Sequence, residues 1–334
     1  MRFSSRTLNA LAEIPAYVLS PAVARWLAAR LYGGCYRVFG RRSLEVTAAA
    51  VQLTLAEPAR NARKIANACF AAKGAQRSNY RAMTNCAQWR VAQTNFGAPV
   101  YRALANAEAP LVILTMHQAD YLAGLLSVLR LIPVEREIHI IKLAEWTQIE
   151  ESAYHHFRQY GHTLVIHRLS EKPAKKIVRA LKKQAILVTF VDVPREFGTT
   201  ASVNMFDLPF QLTSGPLAMA RLAAARVLPV CSNYSADGRC EVAAGTLIES
   251  QARSGQKPSV QHMAQQLADQ IEANLNRFAA QWEMWPVIPN LLDQDAIAEH
   301  SANLSPSTLR RLALAGVTPK VTPGEAQKPS KVAG

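Results

Sequence analysis

A chain of 334 residues is long enough for one large domain or two smaller ones with a full hydrophobic core, and 49% hydrophobic against 19% charged residues excludes disorder throughout. The formal net charge is +14 and the pI about 9.8; residues 1–100 alone carry 14 Lys and Arg against three acids (Glu13, Glu45 and Glu57), a net of +11. Such a basic surface suits anionic lipid, an acidic carrier protein or nucleic acid, but no nucleic-acid-binding motif or aromatic-rich basic stripe accompanies it.

From Leu8 to Gly40 the sequence is apolar but broken by Glu13, Arg25, Arg30 and Arg37, and its longest uncharged stretch, Ile14–Ala24, contains Pro15 and Pro21. A spanning helix needs about 20 mostly apolar residues, so this is neither a good spanning helix nor a good signal peptide. Apolar residues with arginines at intervals suit a helix lying in a membrane interface, or an amphipathic helix packed on the protein itself. Residues 1–105 as a whole read as helical, because alanine is frequent and β-branched runs are scarce. The five cysteines (Cys35, Cys69, Cys86, Cys231 and Cys240) are odd in number and form no CxxC pair, which argues for a reducing compartment and small buried side chains rather than a disulfide framework.

After Pro110 the pattern changes. Leu111–Met116 is a short apolar run suited to a buried strand, and a helix is expected over Ala119–Leu131. Further strands are expected at Ile138–Lys142, His162–His167, Ala185–Asp192 and Val227–Cys231, with helices at Gln148–Tyr160, Pro173–Lys183 and Gly215–Ala225 between them. Strands alternating with helices predict an α/β core over residues 106–300, with a mostly parallel or mixed sheet flanked by helices, behind the helical N-terminal region 1–105. Ser259–Phe278 is a patterned helix with Met263, Leu267, Ile271 and Leu275 at four-residue steps. The segment 301–334 turns polar and rich in Pro, Lys and Gly, and is expected to be a disordered tail.

His117 follows directly on the Leu111–Met116 strand, and the carboxyl ends of strands are where open α/β sheets bind ligands. Asp120 stands three residues on, where the first turn of a helix would put it on the same face. A carboxylate beside an imidazole fixes its tautomer and stabilises the imidazolium, which is what a base needs to take a proton from a hydroxyl. Thr213 and Ser214 are good helix caps, Gly215 lets backbone approach a ligand, and Arg221 stands further along that helix. Asp192 ends the Ala185–Asp192 strand, where it could serve a site or cap a turn, and Lys142 ends the Ile138–Lys142 run, where it could meet a phosphate or a developing oxyanion. His155 and His156 are adjacent and point about 100° apart on a helix. With no HExxH or Cys/His spacing, no P-loop and no glycine-rich dinucleotide fingerprint, the sequence calls for neither a metal nor a nucleotide cofactor.

Four segments in order resemble the bacterial lipid A biosynthesis acyltransferase family, the lauroyl and myristoyl transferases, over about residues 10–290. LVILTMHQADYLAG is similar to the family's strand ending in a His-x4-Glu/Asp box and puts His117 at its histidine. IVRALKKQAILVTFVD matches a basic helix, strand and Asp, with Asp192 in that role. MFDLPFQLTSGPLAMARLAAARVLPV matches an aromatic, a proline, a Thr-x-Gly turn and a small-residue helix. LNRFAAQWEMW matches the family's closing helix and tryptophans, here Trp282 and Trp285. Five residues after His117 the family's acid is replaced by Leu122, and Asp120 is expected to substitute for it. Lys142 is the nearest cation to the family's arginine-bearing run. The resemblance implies a glycerolphosphate-acyltransferase-like fold. It implies transfer of a fatty acyl group from acyl carrier protein or a CoA thioester to a hydroxyl of a lipid or glycolipid, at the cytoplasmic face of the bacterial inner membrane, with no cofactor. His117 would be the base and Asp120 its orienter. Lys142 or backbone donors would hold the oxyanion, and the Gly215 turn with Arg221 would hold anionic groups. A non-catalytic relative that binds lipid or carrier protein is the alternative that Leu122 raises.

Overall fold

A computed structural model describes residues 19–85, 93–94, 96–106, 109–142, 148–159, 161–235, 239–251, 258–300 and 306–314. The chain is α/β, as the alternation of its periods required. Among the described residues three helices come first: α1 (Pro21–Phe39), α2 (Arg41–Leu55) and α3 (Ala59–Asn85). Small residues let them close on each other. A Cβ on Gly74 of α3 would collide with Tyr32 and with the Ala28 carbonyl of α1, so glycine sets the approach of these two helices. Among the described residues no helix is long and apolar enough to cross a membrane; residues 8–18 of the Leu8–Gly40 segment lie outside them.

The sheet has seven strands in the order β1-β9-β8-β2-β5-β3-β4. They are β1 (Gln93–Thr94), β2 (Leu111–Thr115), β3 (Ile138–Lys142), β4 (Leu164–Arg168), β5 (Ile186–Phe190), β8 (Arg226–Tyr234) and β9 (Cys240–Ala244). All neighbours are parallel except β8 and β9. Because β1 completes the sheet, the N-terminal hundred residues are not a purely helical unit. β2 is buried at every position, as a central parallel strand must be when helices cover both faces. Its side chains alternate: Val112, Leu114 and Met116 enter one core with helices α7 (Ala174–Leu181), α8 (Gly215–Ala223) and α9 (Val260–Phe278). Leu111 and Ile113 enter the other with α4 (Ala98–Ala105), α5 (Tyr121–Leu129) and α6 (Gln148–Gln159). On the first side lies a separate antiparallel hairpin, β6 (Thr200–Met205) and β7 (Leu208–Thr213), turned by Phe206 and Asp207 at φ 55° and 56°. Positive φ at both turn positions is what a two-residue hairpin of this twist needs.

Leu208–Thr213, ahead of the Ser214 cap, is a strand with alternating burial that the sequence reading did not mark. The expected tail is also corrected in part. After α10 (Ile288–Leu291) and α11 (Gln294–His300), Pro306–Leu314 forms α12 with Leu312 fully buried, while residues 315–334 lie outside the described chain. Cys35, Cys69, Cys231 and Cys240 are free thiols; Cys86 is outside the described residues.

Candidate functional site

The pairing of β2 with β5 builds the site. Thr115 lies opposite Phe190 at the ends of these parallel strands, so His117 and Asp192, each two residues past its strand, emerge side by side. The Asp192 carboxylate takes three hydrogen bonds. Oδ1 lies 2.9 Å from His117 Nδ1, and Oδ2 accepts the His117 backbone N–H at 2.8 Å and the Trp282 indole N–H at 2.9 Å. Burial alone would push the Asp192 carboxyl up, but these donors hold it below the usual range. Burial likewise pulls the His117 imidazole down; the facing Asp192 charge and hydrogen bond outweigh it, and its pKa is raised. The ring stacks on Phe190 at 4.2 Å between centroids, and Tyr121 stands edge-on to it at 5.3 Å.

The sequence had paired His117 with Asp120, and the structure corrects this. Ala119 adopts φ 47°, with its N–H donated to Gln281 O at 2.9 Å and its carbonyl accepting from Gln76 Nε2. That left-handed step turns Asp120 away from the imidazole. Asp120 caps α5 by accepting the Ala123 N–H at 3.3 Å, with Asn79 Nδ2 at 3.4 Å on its other oxygen. Burial raises its pKa to about 7, against the lowering by the Ala123 and Asn79 donors. Leu122, five residues after His117, is buried against Tyr80 and Ala123.

His117 lies in the wall of a mostly apolar cavity of about 520 Å³ across the carboxyl ends of β2, β5, β3 and β4. Ile140, Ile141, Tyr154, Leu169, Phe190, Val193, Phe197 and Met219 supply apolar surface. Lys142, Thr213 and Gly215, all singled out in the sequence, are in this wall. Lys142 is not a free cation: its Nζ meets Glu150 Oε2 at 2.7 Å, with the two side chains 10% and 20% exposed. Glu150 of α6 therefore shares the charge that the sequence offered to an oxyanion. Thr213 Oγ1 is 3.5 Å from the Val193 carbonyl, and Gly215 opens α8 at the cavity with room beside Thr199. Arg221, expected to hold anionic groups there, lies in the last turn of α8, donates Nε to Pro258 O at 3.0 Å, and takes no part in the wall.

Three contributors escaped the sequence. Phe190 and Glu150 gave no signal by themselves, and Trp282 was marked only as a resemblance, not as the donor to Asp192. The segment bearing Trp282 grips the His117 loop further: Glu283 N–H donates to the His117 carbonyl at 2.9 Å. Gln118 bonds Asn233 and, at 2.8 Å, Asn274. This buried amide cluster fixes the backbone on both sides of the imidazole.

A histidine held by a buried carboxylate and facing an apolar cavity can abstract a proton from a hydroxyl presented beside an acyl chain. No curated protein matches the chain. The family model described as bacterial lipid A biosynthesis acyltransferase matches residues 144–285, which include Asp192, the Gly215 turn and Trp282. That match, over less than half of the chain, is a similarity to the family and supports acyltransferase function in general.

Proposed function

We propose that the protein transfers a fatty acyl group from the thioester of acyl carrier protein or coenzyme A to a hydroxyl of a lipid or glycolipid, with His117 as base and Asp192 as its orienter. The observation that carries this reading is the 2.9 Å contact between His117 Nδ1 and Asp192 at the wall of an apolar cavity of about 520 Å³. With Nδ1–H donated to Asp192, Nε2 keeps its lone pair and takes the proton of the acceptor hydroxyl. The resulting alkoxide attacks the thioester carbonyl and forms the new C–O bond. Collapse of the tetrahedral intermediate breaks the C–S bond, and the proton on Nε2 leaves with the thiolate. Because Lys142 is balanced by Glu150, backbone donors at the start of α8, beside Gly215, take over the oxyanion role in this reading.

Work at the cytoplasmic face of the bacterial inner membrane, as a peripheral or monotopic protein, is part of the same proposal. Its support is the exposed apolar surface of α1, where Val23, Trp26, Leu31, Val38 and Phe39 stand among arginines, with Arg30 over the Trp26 ring at 5.1 Å. The test is acyl transfer by purified protein from a dodecanoyl thioester to extracted membrane lipid, followed by mass spectrometry. His117→Ala should lower the rate by about 10²-fold or more. A variant as fast as the wild type would end the reading.

A further inference from the structure

The cavity wall runs from His117 past Phe190 and Ile141 to Leu169, and Lys172, Pro173 and Ala174 complete it at the start of α7. Lys172 and Ala174 are exposed, so the rim of the cavity lies here. α7 turns Ile177 and Leu181 into the core and leaves Lys175, Lys176 and Arg179 in solvent, and Lys182 and Lys183 continue the cationic face. Glu171 is the one acid between Arg168 and Lys183. Among the described residues no ion pair engages Lys172, Lys175, Lys176, Arg179, Lys182 or Lys183. A run of like charges that exposes no large apolar residue is a surface whose counter-charge comes from outside the chain.

We propose that the cationic face of α7 is the docking surface of an acidic carrier protein, which hands its thioester-linked acyl chain over Lys172 into the cavity. The inference rests on the acyl-transfer reading above and adds the partner and its place. Two features select a protein over other anions. A membrane-seeking face sets large apolar groups among its cations, as α1 does with Trp26, Val38 and Phe39; α7 exposes no large hydrophobic residue. The eight residues of α7 extend about 12 Å from the rim, with cations continuing beyond its end, which is more than the phosphates of a nucleotide carrier at the cavity mouth would need. A helical acidic face matches that length and sign, and it steers encounter by long-range attraction.

The experiment compares three donors carrying the same dodecanoyl group: acyl carrier protein, coenzyme A and pantetheine alone. Wild type is set against the triple variant Lys175→Glu, Lys176→Glu, Arg179→Glu. The expected result is a fall of about tenfold to 10³-fold in kcat/KM with the carrier protein, carried by KM. Turnover of the pantetheine thioester stays unchanged, which also reports that the variant is folded. Rising salt should depress the wild-type rate with the carrier protein and barely affect the variant. An unaltered rate with the carrier protein overturns the proposal, and so does an equal loss with all three donors. A loss confined to the coenzyme A thioester would assign the lysines to nucleotide phosphates instead. Loss of binding to vesicles of phosphatidylglycerol and phosphatidylethanolamine, with carrier-protein kinetics intact, would assign them to the membrane. A wild type inert towards every thioester defeats acyl transfer itself, a failure distinct from that of the docking surface.

Discussion

Replacing Asp192 with asparagine changes little in shape and nearly everything in proton placement. In the native site Oδ2 accepts two N–H groups, from the His117 backbone and Trp282, while Oδ1 faces His117 Nδ1. An asparagine keeps both donors satisfied only by placing its carbonyl oxygen at the Oδ2 position, which aims its NH2 at Nδ1. Nδ1 must then offer a lone pair, so the imidazole carries its proton on Nε2, the atom that should receive one. The wrong tautomer and the lost charge together should cost about 10³-fold in kcat, on the order of 4 kcal/mol of barrier. The assay is initial-rate dodecanoyl transfer across a pH series. In the wild type the rate should rise through an apparent pKa above 6.5, because Asp192 holds the imidazolium and raises the His117 pKa. In Asp192→Asn any residual activity should lose that upward displacement. A variant retaining a kcat within about tenfold of wild type, with an unshifted profile, would refute the argument.

Asp120→Asn tests the corrected role of Asp120: the amide still accepts the Ala123 N–H, so activity should stay within about twofold. The raised Asp120 pKa of about 7 means the folded chain retains a proton that the unfolded chain releases from about 3.8 upward. Stability from this group therefore falls as pH rises across that window, and the variant should melt no lower than wild type at pH 8. The His117–Asp192 pair has the opposite low-pH limb. The depressed Asp192 contributes above its ordinary value of 3.8 and is lost on acidification through its folded value, while the raised His117 contributes fully below 6.5 and is lost as pH climbs past its folded value. Melting of wild type minus His117→Ala should thus be largest between those limits, and a flat difference would contradict the pairing. Lys142→Met should destabilise by about 3 kcal/mol by breaking the buried pair with Glu150, and Lys142→Met with Glu150→Gln should recover most of it in urea denaturation; no recovery would mean the pair is not the unit.

The fold was readable because its signals are local. Leu111–Thr115 is wholly apolar, and the alternation with patterned helices leaves few architectures. His117 stood out for the same reason, two residues past the end of the central strand. Its partner was not, because 75 positions separate Asp192 from it, and only the β2–β5 register makes them neighbours. Asp120 was nearer in sequence, and nothing in the letters Gln118-Ala119 announces a left-handed alanine that swings it into a cap. The charge of Lys142 was visible, but its cancellation by Glu150 depends on how α6 packs over β3. The hairpin β6–β7 was concealed by Pro209 and by a turn made from Phe206 and Asp207 instead of the usual glycine or asparagine. Arg221 shows the converse error: a cation close in sequence to a cavity residue, carried to the far end of its helix.

The indole of Trp282 reaches back 90 residues to Asp192, and the amide of Glu283 reaches back more than 160 to the carbonyl of His117. A ribosome therefore releases the histidine, the aspartate and the whole parallel sheet before it delivers the groups that lock them. Until those closing residues emerge, His117 lacks its carbonyl's donor and Asp192 lacks one of its three. The imidazole and its carboxylate thus reach their full set of hydrogen bonds only when the Trp282–Glu283 segment has joined the fold.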